Sequence, residues 1–214
     1  EVPMNGIVLD LQREALTQSG DVLSLLRKAY LIARKLHLKD FGEWLNKELN
    51  GYGTKDKVPN YRILRGEVKA WNPMRGWIPV LFDREYGFNI HQSRDSIANL
   101  INIYSTSKGK PAIVNFPAEI NSFLGKNAPI QTKYALHIST NQIYTIVESV
   151  RTAVLEWSIV LEENGIIGEG MQFSKEEQEI AVNTPTINNY TTNFFADVSN
   201  SQVQQGTDNS TQAQ

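Results

Sequence analysis

The 214-residue chain contains no cysteine. That excludes disulfides, thiolate nucleophiles and cysteine-ligated zinc. It has no apolar run near the ~18 residues a membrane-spanning helix needs, and no basic-then-apolar leader at its start. Both absences lead to the expectation of a cytoplasmic protein without membrane partners. Glu1-Val-Pro ahead of Met4 reads as an appended leader, with Met4 as the native start. Histidine is scarce. His37, His91 and His137 lie far apart, and none has a second histidine at i+3 or i+4. They read as structural or surface groups, so no metal and no cofactor are expected. The chain also lacks a nucleophile elbow, a zinc-protease helix motif, a phosphate-binding P-loop and a dinucleotide fingerprint. Gly165-Ile-Ile-Gly168-Glu-Gly170 follows a helical pattern and reads as a connector. No catalytic residue can be assigned, and the sequence leans away from an enzyme without deciding the matter.

Neither sign of charge dominates: 21 basic and 23 acidic side chains give a net charge of −2. General attraction to polyanions is therefore not expected.

What is present falls into an α+β pattern. Helical spacing of apolar residues covers the segments around Ile7–Leu16, Asp21–Leu36 and Leu38–Leu49, with Asn50-Gly51 as a stop. These three form an N-terminal helical bundle. The period then changes to two. Tyr61, Ile63, Arg65, Glu67, Lys69 and Trp71 alternate with Arg62, Leu64, Gly66, Val68 and Ala70. Asn72-Pro-Met-Arg-Gly76 is turn chemistry before the apolar run Trp77–Phe82, so a β-hairpin with Pro79 at an edge is expected. A helix at 95–104, a strand at 112–116, a helix after Pro117, a strand at 130–138 and a long C-terminal helix from about 140 to 163 follow. Ser174-Lys-Glu-Glu177 has capping-box form. The expected organisation is a domain over residues 4–182 and a polar, β-prone tail over 183–214.

Two segments stand out for function. Arg62, Arg65, Lys69, Trp71, Arg75 and Trp77 interleave cations with indoles on the hairpin, a composition suited to a nucleic-acid backbone and its bases. The alternative is a half-buried hairpin whose polar face is merely solvated, with Glu67 compensating its neighbours. The tail carries only Asp197 and Asp208 as charges, and Asn, Gln, Ser and Thr supply most of it. Its Ile187, Tyr190, Phe194, Val198 and Val203, with Gln202, Gln204, Gly206 and Asn209, suit copies that pair by backbone and amide ladders. A homo-oligomer is therefore expected; a simple linker is the competing reading.

Ile7-Val-Leu-Asp-Leu-Gln-Arg-Glu-Ala15, Leu25-Leu-Arg-Lys-Ala29, Phe41-Gly-Glu-Trp-Leu-Asn-Lys-Glu-Leu-Asn-Gly-Tyr52, Gly66-Glu-Val-Lys-Ala-Trp-Asn-Pro73 and Gly76-Trp-Ile-Pro-Val80 resemble the bacterial AbiTii domain over roughly residues 5–185. That resemblance implies abortive infection, in which an infected bacterium arrests before phage can spread. It brings no catalytic residues or substrate with it. Residues 200–210 separately resemble short Gln/Asn/Gly motifs at the ends of varied bacterial proteins. The combined expectation is an anti-phage protein acting through self-assembly and the binding of a partner or ligand, such as a phage component or a co-encoded protein. The alternative is a toxic enzyme directed at nucleic acid or nucleotides through the 61–82 hairpin.

Overall fold

The computed structural model describes residues 6–17, 20–81, 86–126 and 132–191. Phe194, Val198, Gln202, Val203, Gln204, Gly206 and Asn209 lie outside them. The chain divides into two compact units, one built from residues up to 49 and from 150 onward, the other from 50–149.

The first unit is helical. It holds α1 (Ile7–Leu16), α2 (Val22–Lys35), α3 (Lys39–Asn50), the larger part of α6 (Thr140–Glu163), α7 (Lys175–Asn183) and α8 (Pro185–Asn188). The expected bundle and long helix are thus present. Asp21 caps α2 by accepting from the Leu23 N–H at 2.9 Å. The end of α2 is closed by paired backbone bonds, Leu38 N–H to Ala33 O and His37 N–H to Arg34 O. Those bonds require a left-handed residue, and His37 takes that conformation with φ +60°.

The apolar stripe of α6 supplies this unit with Val150, Val154, Trp157 and Leu161, all fully buried. The Trp157 ring stacks on Phe41 of α3 with centroids 4.0 Å apart. Ser174 and Glu177 form the capping box of α7. The Glu177 carboxylate also accepts the N–H groups of Ile167 and Gly168 at 3.0 and 2.8 Å, which ties the glycine-rich connector to α7. Pro185 opens α8 at its first turn rather than ending helical structure. Beyond it, Ile187 and Tyr190 are buried, and Tyr190 meets Phe41 edge-on at 5.7 Å.

The second unit centres on an antiparallel sheet of β1 (Ile63–Asn72), β2 (Gly76–Pro79), β3 (Ile90–Gln92), β4 (Ala112–Asn115) and β5 (Tyr134–Ile138). The order is β2-β1-β5-β4, with β3 also paired to β1. It further contains α4 (Ile97–Ser107), α5 (Ala118–Gly125) and residues 140–149 of α6. The hairpin turn follows the chemistry of its residues. The Asn72 side chain accepts from the Met74 and Arg75 N–H groups at 2.9 and 3.1 Å, and Gly76 turns the chain with φ +73°. Pro79 sits on edge strand β2, where its missing N–H costs no internal ladder bond. Strand β3 carried too short an apolar pattern to be read from sequence.

Alternation on β1 is strict. Leu64, Val68 and Ala70 are buried, while Arg65, Glu67 and Trp71 are exposed. Gly66 on the buried side meets Leu136, and an added Cβ there would approach the His137 carbonyl oxygen to 2.6 Å. This close strand approach explains a glycine in mid-strand. Arg65 lies one step past the end of β5. Its N–H and C=O are satisfied by the Gln142 side-chain amide at 3.0 and 2.7 Å, so a side chain extends the ladder.

Candidate functional site

The solvent-facing side of the sheet gathers chemistry from three strands. Because strand side chains alternate, Arg65, Glu67, Lys69 and Trp71 of β1 share one face. The β1–β2 register sets Trp71 opposite Trp77. The β1–β5 register sets Glu67 opposite His137, and β4 places Ile113 opposite His137 on the far side. Five of the six hairpin residues singled out by sequence are therefore on this face or at its tip, with Arg75 exposed in the turn.

Arg62 is the exception. It lies in the single helical turn Asn60–Arg62 before β1 and is completely buried. Its guanidinium donates to the carbonyl oxygens of Ser93 and Asp95 at 3.3 and 2.8 Å and lies 4.7 Å from the centroid of the Tyr52 ring. Arg62 has the same parity as the inward-facing Leu64, Gly66 and Val68, so it braces the loop after β3 and cannot meet a ligand on the sheet.

The two indoles meet edge to face with centroids 5.4 Å apart. Trp77 meets the His137 ring in the same manner at 5.0 Å. Lys133, which sequence reading missed, places its Nζ 5.1 Å from the Trp71 ring and 5.5 Å from the Trp77 ring. The reason is backbone pairing: the Trp71 N–H donates to Lys133 O, and the Thr132 hydroxyl donates to Trp71 O. Nothing in the local sequence around Lys133 signals this, because the contact spans 62 positions along the chain. His137 was visible only as an isolated histidine; its neighbours come from register.

Charge on the face is unequal. Arg65, Lys69, Arg75 and Lys133 stand against Glu67, which pairs with Lys69 at 3.0 Å. This local excess of cations departs from the slightly acidic chain as a whole. His137 is held below the usual histidine range, first by desolvation and then by Lys69, with Glu67 opposing. It is therefore neutral at physiological pH. Its Nε2 is buried and has no hydrogen-bond partner among the described residues. The face thus offers two aromatic platforms, a neutral imidazole and several cations on a rigid sheet. Such an arrangement can stack flat rings and neutralise an extended polyanion.

Among the described residues no group of three or more His, Asp or Glu is placed to hold a metal ion. No helix among them is long and apolar enough to cross a membrane.

Of the residues expected to mediate assembly, Ile187 and Tyr190 are buried within the helical unit. The neighbouring Thr191 hydroxyl donates to the Asp40 carboxylate. The others lie beyond the described residues.

Comparison with known proteins finds no curated protein and no solved structure that matches. A family model does match: AbiTii, over residues 6–186. This span includes the helical bundle, the whole sheet and the long helix, and the chain belongs to the AbiTii family.

Proposed function

We propose that this protein, from a family tied to bacterial abortive infection, works in the cytoplasm by holding single-stranded nucleic acid on its open sheet face and by assembling with copies of itself. The carrying observation is the convergence of Trp71, Trp77 and Lys133 with Arg65, Lys69 and Arg75 on one side of one sheet. Indoles accept any base by stacking, and the cations follow a backbone without reading sequence. A duplex would not fit this chemistry as well, since its bases are already stacked on one another.

Assembly falls to residues 192–214. Phe194, Val198 and Val203 recur among amides too polar to bury a core alone, which suits contact between copies. Ile187 and Tyr190 serve the fold of the single copy, so the assembling segment starts after Thr191.

A second reading, cleavage of the bound strand, rests on His137 opposite Glu67, although its Nε2, without a partner among the described residues, is buried and a bound strand would have to uncover it. His137→Ala separates the two, since it should abolish cleavage under that reading and leave binding largely intact.

The test is anisotropy of a labelled 12-nucleotide single strand, recorded from 50 to 300 mM salt. Affinity should fall steeply with salt, with a log–log slope on the order of 2–4 if three to five phosphates are neutralised. No binding at the lowest salt would defeat the reading. For assembly, a chain ending at Thr191 should stay folded and show a lower mass by light scattering. Equal masses for the two chains would make residues 192–214 a linker.

A further inference from the structure

The helical unit contains a cavity of about 620 Å³ where α2 passes into α3. Its lining includes Tyr30, Arg34, His37, Gly42, Glu43 and Lys47. Two of these residues break local rules, and both do so at the cavity wall.

Gly42 occupies the interior of α3, where glycine is a poor helix former. The usual excuses are absent. Its φ is not positive, and a Cβ built on it would meet nothing within 4 Å among the described residues. No neighbouring element demands the glycine. What a side chain at this position would enter is the cavity. The second residue is His37, which holds the left-handed position that closes α2, a place glycine fills without strain. The cost of a histidine there is not repaid by any hydrogen bond from its ring among those the structure shows. Local choices that contradict the fold without a packing reason collect at functional sites.

The wall has a definite chemistry. Arg34, Lys39 and Lys47 supply three cations against the single carboxylate of Glu43. Arg34 donates to the Tyr30 hydroxyl at 3.1 Å and lies 5.8 Å from the centre of that ring. Lys35, the remaining nearby cation, is committed elsewhere, to the Met171 carbonyl. The cavity lining therefore combines the Tyr30 ring, with the Arg34 guanidinium over it, the cations Lys39 and Lys47, and Gly42, which adds no side chain.

We propose that this cavity binds a small organic phosphate with a flat ring, of the nucleotide class. The phosphate groups meet Arg34, Lys47 and a His37 ring free to donate. The ring body lies along Tyr30 over Gly42. Lys39 and Lys47 each sit four residues from Glu43 on α3, so an anion competes with that carboxylate for them and does not face it alone. This site is independent of the sheet face, which belongs to the other unit.

The experiment measures the melting temperature of the full chain with 5 mM ADP, 5 mM pyrophosphate or 1 mM adenosine, and repeats it on three variants. The wild type should melt several degrees higher with ADP, less so with pyrophosphate, and unchanged with adenosine. Gly42→Ala should melt higher than wild type without ligand yet lose most of the ADP shift, because its methyl gains helix propensity and enters the cavity. Arg34→Glu and Lys47→Glu should each fold and lose the shift. A wild type indifferent to ADP overturns the proposal, as does an undiminished shift in Arg34→Glu. A shift with pyrophosphate equal to that with ADP overturns the flat-ring part and leaves a bare anion site. A Gly42→Ala variant that is both more stable and unchanged in ADP response removes the argument from the glycine. Strand binding on the sheet face is read separately, by anisotropy, and should be the same in all these variants.

Discussion

His137 and Trp77 meet ring edge to ring face, 5.0 Å between centroids, across two strands that do not pair with each other directly. The contact joins β5 to the edge strand β2 over the intervening β1. It places a titrating group on an otherwise aromatic and cationic face.

The acid response follows from that contact. The folded protein holds His137 below its unfolded value, through desolvation first and Lys69 second. Its contribution to stability is therefore complete above the unfolded histidine pKa of ~6.5 and is lost as the pH falls below it. Melting temperatures between pH 7.5 and 5.5 should drop less in His137→Gln than in the wild type. His91 is shifted in the same direction by burial, with Asp95 opposing, so some acid sensitivity should persist in the variant. Identical pH profiles would show that His137 is not desolvated by its neighbours.

Arg62 and Arg65 should part company under mutation, although they are three residues apart and look alike in sequence. Arg62→Ala removes a fully buried guanidinium and strands the Ser93 and Asp95 carbonyls. A loss of about 2–4 kcal/mol in urea unfolding is expected. Arg65→Ala removes an exposed side chain whose backbone bonds to Gln142 remain, and should change stability by less than about 0.5 kcal/mol. Equal destabilisation would contradict the placement of Arg62 inside the loop.

Trp157 tests the helical unit. It is 0% exposed and stacked on Phe41. Trp157→Ala should cost on the order of 3–5 kcal/mol. Because its ring nitrogen has no partner among the described residues, Trp157→Phe should recover much of that loss. An unchanged melting temperature in Trp157→Ala would place the ring in solvent.

The helical bundle, the hairpin and the long helix were legible because each carries a sustained period and chemical punctuation. Asp21, Asn50-Gly51, Asn72 to Gly76 and Ser174 to Glu177 mark their ends with residues whose side chains or φ angles do the capping. Strand β3 and helix α8 were not legible, since three and four residues hold too little pattern. The face of the sheet was half legible. Alternation on β1 predicts that Arg65, Lys69 and Trp71 share a side. The same alternation puts Arg62 with Leu64, Gly66, Val68 and Ala70 on the buried side, where the structure has it; only its charge suggests a place among the outward-facing cations. Lys133 and His137 could not be found from sequence, because their position depends on which strand pairs with β1 and in which register.

The most direct test of the central claim is single-strand binding by Trp71→Ala/Trp77→Ala beside the wild type, measured by anisotropy at 50 mM salt. Loss of two stacking platforms at ~1–3 kcal/mol each should weaken binding by at least about thirtyfold, with the salt slope retained because the cations remain. Wild-type affinity in the double variant, with its fold intact by circular dichroism, would contradict the account.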